Sequence, residues 1–233
     1  MARSDTGSYY WQGVRAGLPF LLVIGPFATL FGVLANEAGL NLFDTLSFSV
    51  VVIAGAAQFV SLQMLQDHVP ALIVLASALA VNLRMAMYSA AITPHLGALP
   101  LWKRAICAYF LVDQTYASSA LQFERSPEMT LPQKFAFFMG TMTPICPPWY
   151  IFTLVGAWVG EAIPADFGLD FALPIAFLAM IAPALRTGAH VVAALVATLG
   201  TLLLAWMPYN LGVLCAAALG MMAGAETERR MQR

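Results

Sequence analysis

The chain has 233 residues, of which 61% are hydrophobic and only 10% are charged, and its mean hydropathy is +0.78. In a soluble domain about a quarter of the residues are charged. The composition of this chain therefore excludes a soluble globular fold and predicts an integral membrane protein. The net charge of −1 provides no basic surface for nucleic acid. We therefore expect the lipid bilayer as the surroundings of the chain and no nucleic acid as a partner.

Apolar stretches of about 20 residues recur along the chain, which is the length that a helix needs to cross a bilayer. The connections between them are short, so the sequence predicts an all-α bundle that forms a single transmembrane domain over 1–233. Eight candidate segments follow one another: 15–36, 45–66, 70–92, 100–123, 135–159, 171–187, 189–206 and 209–225.

The distribution of lysine and arginine predicts the orientation, because these residues favour the cytoplasmic side. Arg3, Arg15 and Arg230 lie near the two ends of the chain, so we expect both termini in the cytoplasm. Lys103 and Arg104 disagree, because their connection would face outward if all eight segments crossed. Six crossings, with segments two and five re-entrant, would place Lys103 inside; eight crossings are the preferred prediction.

Residues that interrupt helices occur in segments one, two and five. Proline removes a backbone donor and clashes with the preceding turn, and interrupted helices at membrane depth occur only where they are buried in protein or line a cavity. We expect the breaks at Pro26, Gly55, Pro144 and Pro147 to line the functional site.

A short internal similarity relates residues 91–96 to residues 180–185, and each stretch ends a unit of three segments. The units 15–97 and 100–187 would then form an inverted repeat, followed by two spans in 189–225. Inverted repeats with broken helices are typical of transporters. A chance match between apolar stretches is the alternative explanation.

Arg84 lies in the middle of segment three, where a charge costs from about 3 to more than 10 kcal/mol. Asp113 in segment four is about as far as Arg84 from the connection near residue 98, so the two residues should lie at the same depth. We predict an ion pair between them. The pair could be a purely structural lock between two helices; neighbouring polar residues favour a binding site instead. These neighbours are Gln58, Asn82, Gln114 and Tyr116.

A free amino acid carries a carboxylate, which a guanidinium can hold through two hydrogen bonds, and an ammonium, which an aspartate can hold. Arg84 and Asp113 supply both signs of charge, and the surrounding apolar residues would accept an apolar side chain. In an alternative role, Asp113 would carry the coupling proton, being protonated when unpaired and ionised beside Arg84.

Other functional classes find less support in the sequence. The phosphate loop G-x-x-x-x-G-K-[ST] is absent, so ATP hydrolysis would require a separate subunit. No nucleophile–base arrangement or H-E-x-x-H motif suggests an intramembrane enzyme, and the three cysteines lack metal-ligand spacing. We therefore expect no metal and no cofactor. A secondary transporter is the first prediction, and a permease subunit or a channel for another small solute is the alternative.

Several motifs in order along most of the chain resemble the AzlC family of branched-chain amino acid permeases. They are Gly17-Leu18-Pro19, Gly32-Val33-Leu34-Ala35, Ala54-Gly55-Ala56-Ala57-Gln58-Phe59, Asn82-Leu83-Arg84-Met85, Asp113-Gln114-Thr115-Tyr116-Ala117 and Gly168-Leu169-Asp170-Phe171-Ala172. The resemblance implies an exporter of valine, leucine, isoleucine and their analogues in a bacterial inner membrane. It also implies a small, separately encoded membrane partner of the AzlD type.

Overall fold

A computed structural model describes residues 3–160, 185, 187–208 and 211–231. The regular structure in these ranges is helical, as the sequence predicts, and the chain divides into two compact units. The first unit comprises residues 1–68 and 74–168, and the second comprises 69–73 and 169–233. The helices are α1 (Arg3–Gly17), a 3-10 turn (Leu18–Phe20), α2 (Leu21–Glu37), α3 (Leu42–Val51), α4 (Gly55–Gln66), α5 (Ala71–Leu96), α6 (Leu101–Tyr109), α7 (Asp113–Arg125), α8 (Leu131–Met142), α9 (Cys146–Gly160), α10 (Gly188–Leu203) and α11 (Leu211–Met231).

Two long helical segments lie side by side and point in the same direction in the first unit. α1 packs along α8, and α2 packs along α9. Gly140 contacts the Tyr10 carbonyl, and Gly156 contacts the Thr29 carbonyl, so closely that neither glycine leaves room for a Cβ atom. Small residues let helix backbones approach in this way inside a membrane. Segment five therefore extends beside the first segment over its whole length instead of turning back.

Segment two turns back at Val52, between α3 and α4. α3 is antiparallel to α2, and Phe48 packs edge-on against Phe31 with ring centroids 5.8 Å apart. α4 then runs parallel to α2, because Gly55 faces Phe27 and Phe59 contacts Phe31 at 5.5 Å. Segment two is thus a re-entrant hairpin whose two ends lie at the same end of the bundle.

Segment four also turns back, and here the prediction of a crossing helix is wrong. α6 runs antiparallel to the last turns of α5, and the two helices line a common groove, with Ile92 and Thr93 from α5 and Ala105 and Ala108 from α6. α7 then runs parallel to α5, because Tyr88 stacks on Tyr116 and, farther along both helices, His95 contacts Phe123 with the two rings 5.3 Å apart. The turn at Phe110–Val112 contains neither proline nor glycine, so no residue type in the sequence predicts it.

The first unit therefore contains three full-length helical segments, α1–α2, α5 and α8–α9, and two re-entrant hairpins that enter from opposite ends. This corrects the preferred prediction of eight crossings. The alternative prediction of two re-entrant segments is right for segment two. The other re-entrant segment is segment four and not segment five. Segment six, 171–187, lies almost entirely outside the described residues, so the proposed inverted repeat stays a prediction.

The revised path explains the basic connection that conflicted with the orientation. α5 runs opposite to α1–α2, and His95 near its end lies 3.3 Å from Lys134 in the first turn of α8. Lys103 and Arg104 therefore lie at the same end of the bundle as the N-terminus. The acidic connection between α2 and α3 lies at the other end, as the positive-inside rule favours.

Two of the four predicted break positions lie at interruptions between helices, and the role of the breaks in lining a site stays a prediction. Gly55 begins α4 directly after the turn of the first hairpin, and Pro144 lies in the break between α8 and α9. Pro26 lies inside α2 on its exposed face, and the helix continues through it. Pro147 is the second residue of α9, where a missing N–H is tolerated, and its side chain is exposed. Neither of these two prolines lines an interior site.

α10 and α11 form an antiparallel pair in the second unit, and the small residues of α11 carry the contact. Gly220 and Gly224 lie against Ala197 and Ala193 of α10. The apolar helices long enough to cross a membrane in the described residues are the segment Thr6–Glu37 and the helices α5 and α11. Together with the broken α8–α9 segment, they identify a multi-pass membrane protein.

The re-entrant path of segment four predicts which connections share a side of the membrane. In a cysteine-free background, Ala98→Cys and Glu128→Cys should react with an impermeant maleimide from the same side, whereas Asp67→Cys should react from the other side. The reason is that α6 and α7 return the chain to the end at which it entered. Labelling of Ala98→Cys and Glu128→Cys from opposite sides would show that segment four crosses.

Candidate functional site

The turns of both hairpins meet the breaks of the long segments in one apolar layer. Ile53 from the first hairpin and Phe110 and Val112 from the second pack against a buried cluster that includes Ile24 and Ile145. Ile145 belongs to the break between α8 and α9. Phe20 from the 3-10 turn Leu18–Phe20 packs against the same cluster. Four chain interruptions therefore lie close together in the interior of the first unit.

Hydrogen bonds of Tyr109 tie this layer together. The Tyr109 hydroxyl donates to the Val50 carbonyl oxygen at 2.7 Å, which is a carbonyl in the last turn of α3 without an intrahelical partner. The Tyr150 hydroxyl lies 2.9 Å from the same Tyr109 oxygen and is its donor. Tyr109 thus links the two hairpins to each other and to α9.

The predicted ion pair between Arg84 and Asp113 is present. Arg84 Nη1 lies 3.1 Å from Asp113 Oδ2, and the side chains are 32% and 38% exposed. Asp113 is the first residue of α7, where the partial positive charge of the helix N-terminus favours a carboxylate. Val112 before it has no side chain that can cap the helix, and its own N–H bonds to Thr115 Oγ1 at 2.9 Å.

The pair uses only part of the hydrogen-bonding capacity of its two members. Arg84 Nε and Asp113 Oδ1 are both buried without a hydrogen-bond partner in the described part of the chain, and so is Oδ1 of Asn82. Buried polar atoms in native proteins are nearly always satisfied, so each exception calls for an explanation. The ion pair itself therefore keeps one unused donor and one unused acceptor, whereas Asn82, two positions before Arg84 on α5, lies on a different face of that helix.

An aromatic pair borders the ion pair on the side toward the N-terminal end. Tyr88 and Tyr116 stack with their rings 4.3 Å apart and 11° from parallel, and Tyr88 also interacts with both charges. The sequence analysis singled out Tyr116 but missed Tyr88. The helical spacing of four residues between Arg84 and Tyr88 could have revealed it, because such residues share a face.

The other predicted site residues are placed differently. Gln58 lies in a separate buried cluster, where its Nε2 donates to Ser49 Oγ at 2.9 Å and Ser49 in turn lies 3.3 Å from Thr153 Oγ1. This cluster joins α3, α4 and α9, so the contacts of Gln58 are those of a helix-packing residue and not of a member of the ion-pair site. Gln114 follows Asp113 in the first turn of α7 and is half-buried.

Loss of the Tyr109 hydroxyl should loosen the contact between the hairpins. In Tyr109→Phe the Val50 carbonyl and the Tyr150 hydroxyl both lose a partner. We therefore expect the free energy of unfolding to fall by about 0.5–1.5 kcal/mol. Each kcal/mol lowers the unfolding temperature by about 2–4 °C. Thermal unfolding in detergent measures the change. Tyr9→Phe is the matched control, because the Tyr9 hydroxyl has no hydrogen bond in the described residues. Equal effects of both variants would contradict the role of the Tyr109 hydroxyl in linking the hairpins.

The arrangement offers groups that can recognise a charged solute. Within residues 3–160, 185, 187–208 and 211–231, no group of three or more His, Cys, Asp or Glu side chains could hold a metal ion. A paired guanidinium and carboxylate with unused hydrogen-bonding atoms, enclosed by broken helices, can instead bind a small solute that carries both charges.

Comparison with known proteins agrees with the geometry. A family model described as AzlC protein matches residues 19–163. The chain is 25% identical over 216 residues to the inner membrane protein YgaZ of Escherichia coli (strain K12), with 88% of this chain and 87% of the relative covered. It is 28% identical over 216 residues to an uncharacterized membrane protein of Archaeoglobus fulgidus, with 90% and 91% covered. No solved structure matches. Since the family model covers more than half of the sequence, the chain belongs to the AzlC family of membrane proteins.

Proposed function

We propose that this protein is a secondary transporter that exports branched-chain amino acids such as valine, leucine and isoleucine. The observation that carries the proposal is the incompletely bonded ion pair of Arg84 and Asp113 in the layer of helix breaks. Family membership supports the substrate class, and the absence of a phosphate loop in the sequence supports transport driven by an ion gradient.

The unused atoms of the ion pair match the charges of a free amino acid. Arg84 Nε can donate to the substrate carboxylate, while Asp113 Oδ1 can accept from the ammonium. Charge-assisted hydrogen bonds of this kind are about twice as strong as neutral ones. The first N–H groups of α7 add partial positive charge close to the same place.

Apolar and aromatic groups near the charges suit an apolar substrate side chain. Phe110 and Val112 at the turn of the second hairpin precede Asp113 directly, and the stacked Tyr88 and Tyr116 border the pair on one side. Burial of a branched aliphatic side chain against such groups contributes about 1.5–3 kcal/mol.

The two hairpins suit alternating access. They enter from opposite ends and their turns meet near the ion pair, so movement of either hairpin would open the layer toward one side only. The α1–α2 and α8–α9 segments are held together by backbone contacts at glycines and would form the fixed part. Broken helices around a central site are typical of such carriers.

The proposal includes a partner and a location. The partner is a small membrane subunit of the AzlD type, which the family resemblance supports. The location is the bacterial inner membrane, with the N-terminus in the cytoplasm, which the basic residues Lys103, Arg104 and Lys134 at the N-terminal end support. The C-terminus is proposed to face the cytoplasm as well.

Counterflow in proteoliposomes tests this function. Vesicles loaded with unlabelled leucine should accumulate labelled leucine, valine and isoleucine, and both leucinamide and 4-methylpentanoate should compete at least about tenfold more weakly than leucine, because each lacks one of the two charges. The measurement is made with the chain alone and with the coexpressed small subunit. Absence of exchange in both preparations, with folded protein, would refute the proposal.

A further inference from the structure

A groove between α5 and α6 is not part of the ion-pair site. Its volume is about 360 Å³. The buried residues Ile92, Leu96 and Leu111 form its floor, and the exposed Ala105 and Ala108 form one rim. The walls are therefore largely apolar, and the small alanine side chains keep the groove open toward the surroundings of the protein.

The length of the groove matches half of a bilayer. α6 has nine residues, or about 13.5 Å at 1.5 Å per residue, and half of the hydrocarbon core is about 15 Å. The groove ends at Leu111, where the re-entrant hairpin turns. A transmembrane helix of a partner would need a groove along the whole thickness, whereas one acyl chain of a single leaflet needs only this half.

A cation lies at the outer end of the groove. Arg104 lines it and forms no ion pair with a carboxylate in the described residues. The neighbouring Lys103 is directed elsewhere, since its Nζ lies 4.8 Å above the ring of Phe135 in α8. Trp102, which is 60% exposed in the same turn, is the kind of residue that occupies the headgroup level of a membrane.

We propose that this groove binds an anionic phospholipid of the leaflet at the N-terminal end. One acyl chain lies between α5 and α6, and the Arg104 guanidinium holds the phosphate through charge-assisted hydrogen bonds. The bound lipid supports the exposed face of α6, a helix that spans only half of the membrane. The proposal does not depend on the transported substrate.

Mass spectrometry of the intact protein released from nanodiscs of equal phosphatidylglycerol and phosphatidylcholine tests the site. The wild-type protein should retain phosphatidylglycerol in preference to phosphatidylcholine. Arg104→Gln should lower this preference about tenfold or more, and Ala108→Phe should abolish retention of both lipids because the ring fills the groove. Arg125→Gln is the matched control for Arg104→Gln, because Arg125 lies at the same end of the bundle. Ala90→Phe is the matched control for Ala108→Phe, because Ala90 lies on the exposed face of α5. Both control variants should behave as the wild type.

Three results would overturn the proposal. The first is equal retention of both lipids by the wild-type protein, a measurement that needs no variant. The second is an equal effect of Arg104→Gln and Arg125→Gln, which would indicate only general attraction by surface charge. The third is an Ala108→Phe variant that retains lipid as the wild type does but no longer holds a coexpressed small membrane subunit. This result would identify the groove as a protein interface.

Discussion

The Arg84→Gln variant should insert and fold but lose amino-acid counterflow by at least about thirtyfold. Truncation of one member of a hydrogen-bonded charge pair in an interface costs about 2–5 kcal/mol, which corresponds to about thirtyfold to several thousandfold in affinity. The loss is expected because glutamine supplies neither the positive charge nor the Nε donor for a substrate carboxylate. Initial rates of labelled leucine counterflow measure it.

Two further variants locate this effect at the ion pair. Arg125→Gln removes an arginine at the N-terminal end of the bundle, outside the pair, and should transport normally. Arg84→Lys keeps the charge but loses the planar fork that binds a carboxylate through two hydrogen bonds, so it should retain only part of the activity. Normal transport by Arg84→Gln would remove Arg84 from the substrate site.

The second large effect is expected at Gly156. A Cβ atom there would overlap the Thr29 carbonyl oxygen of α2, so Gly156→Ala must push α9 away from α2. Overpacking of this kind costs about 1–3 kcal/mol. The unfolding temperature should fall by several degrees, because the contact holds together the two segments that support both hairpins. Thermal unfolding of the purified protein measures the change.

Gly7→Ala is the matched control for Gly156→Ala. Gly7 also lies in a helix, but a Cβ atom there would meet nothing within 4 Å. Alanine has a higher helix propensity than glycine by up to about 1 kcal/mol, so this variant should be as stable as the wild type or more stable. A fall in unfolding temperature of the same size in both variants would argue against close packing of α2 on α9.

The ion pair could be predicted from the sequence even though the path of segment four could not. The prediction required only that Arg84 and Asp113 lie at the same depth. The first half of segment four runs antiparallel to segment three whether the chain crosses or turns back. Asp113 therefore reaches mid-membrane depth in both cases, and the turn at Phe110–Val112 places it at the start of a new helix.

Helix breaks were predictable only where the cause lies in a single residue. Pro144 lacks a backbone donor and lies in the break between α8 and α9, whereas Gly55 is the first residue of α4, directly after the interruption at residues 52–54. The turn before Asp113 depends on tertiary packing and on hydrogen bonds of Thr115 Oγ1, which accepts from the Val112 N–H and donates to the Phe110 carbonyl oxygen. Pro26 misled for the opposite reason, because neighbouring helices in a membrane can support a helix that contains proline.

The polar residues around the pair could not be sorted by sequence alone. Gln58 and Asn82 are both polar residues in apolar segments, and each keeps a buried side-chain oxygen without a partner in the described residues. Gln58 also donates to Ser49 in a packing cluster. Their difference depends on which helix faces they meet. Tyr88 was missed although its spacing of four residues from Arg84 places both on one helix face; its stacking on Tyr116 depends on tertiary packing.

The double variant Arg84→Gln/Asp113→Asn tests most directly whether the ion pair binds the substrate or only locks two helices. Removal of both charges leaves no unpaired charge, and the two amides can still form a hydrogen bond across α5 and α7. If the pair binds the amino acid, the double variant should regain the thermal stability that either single variant loses but should show no leucine counterflow. Recovery of counterflow to the wild-type rate would contradict this account and identify the pair as a structural lock.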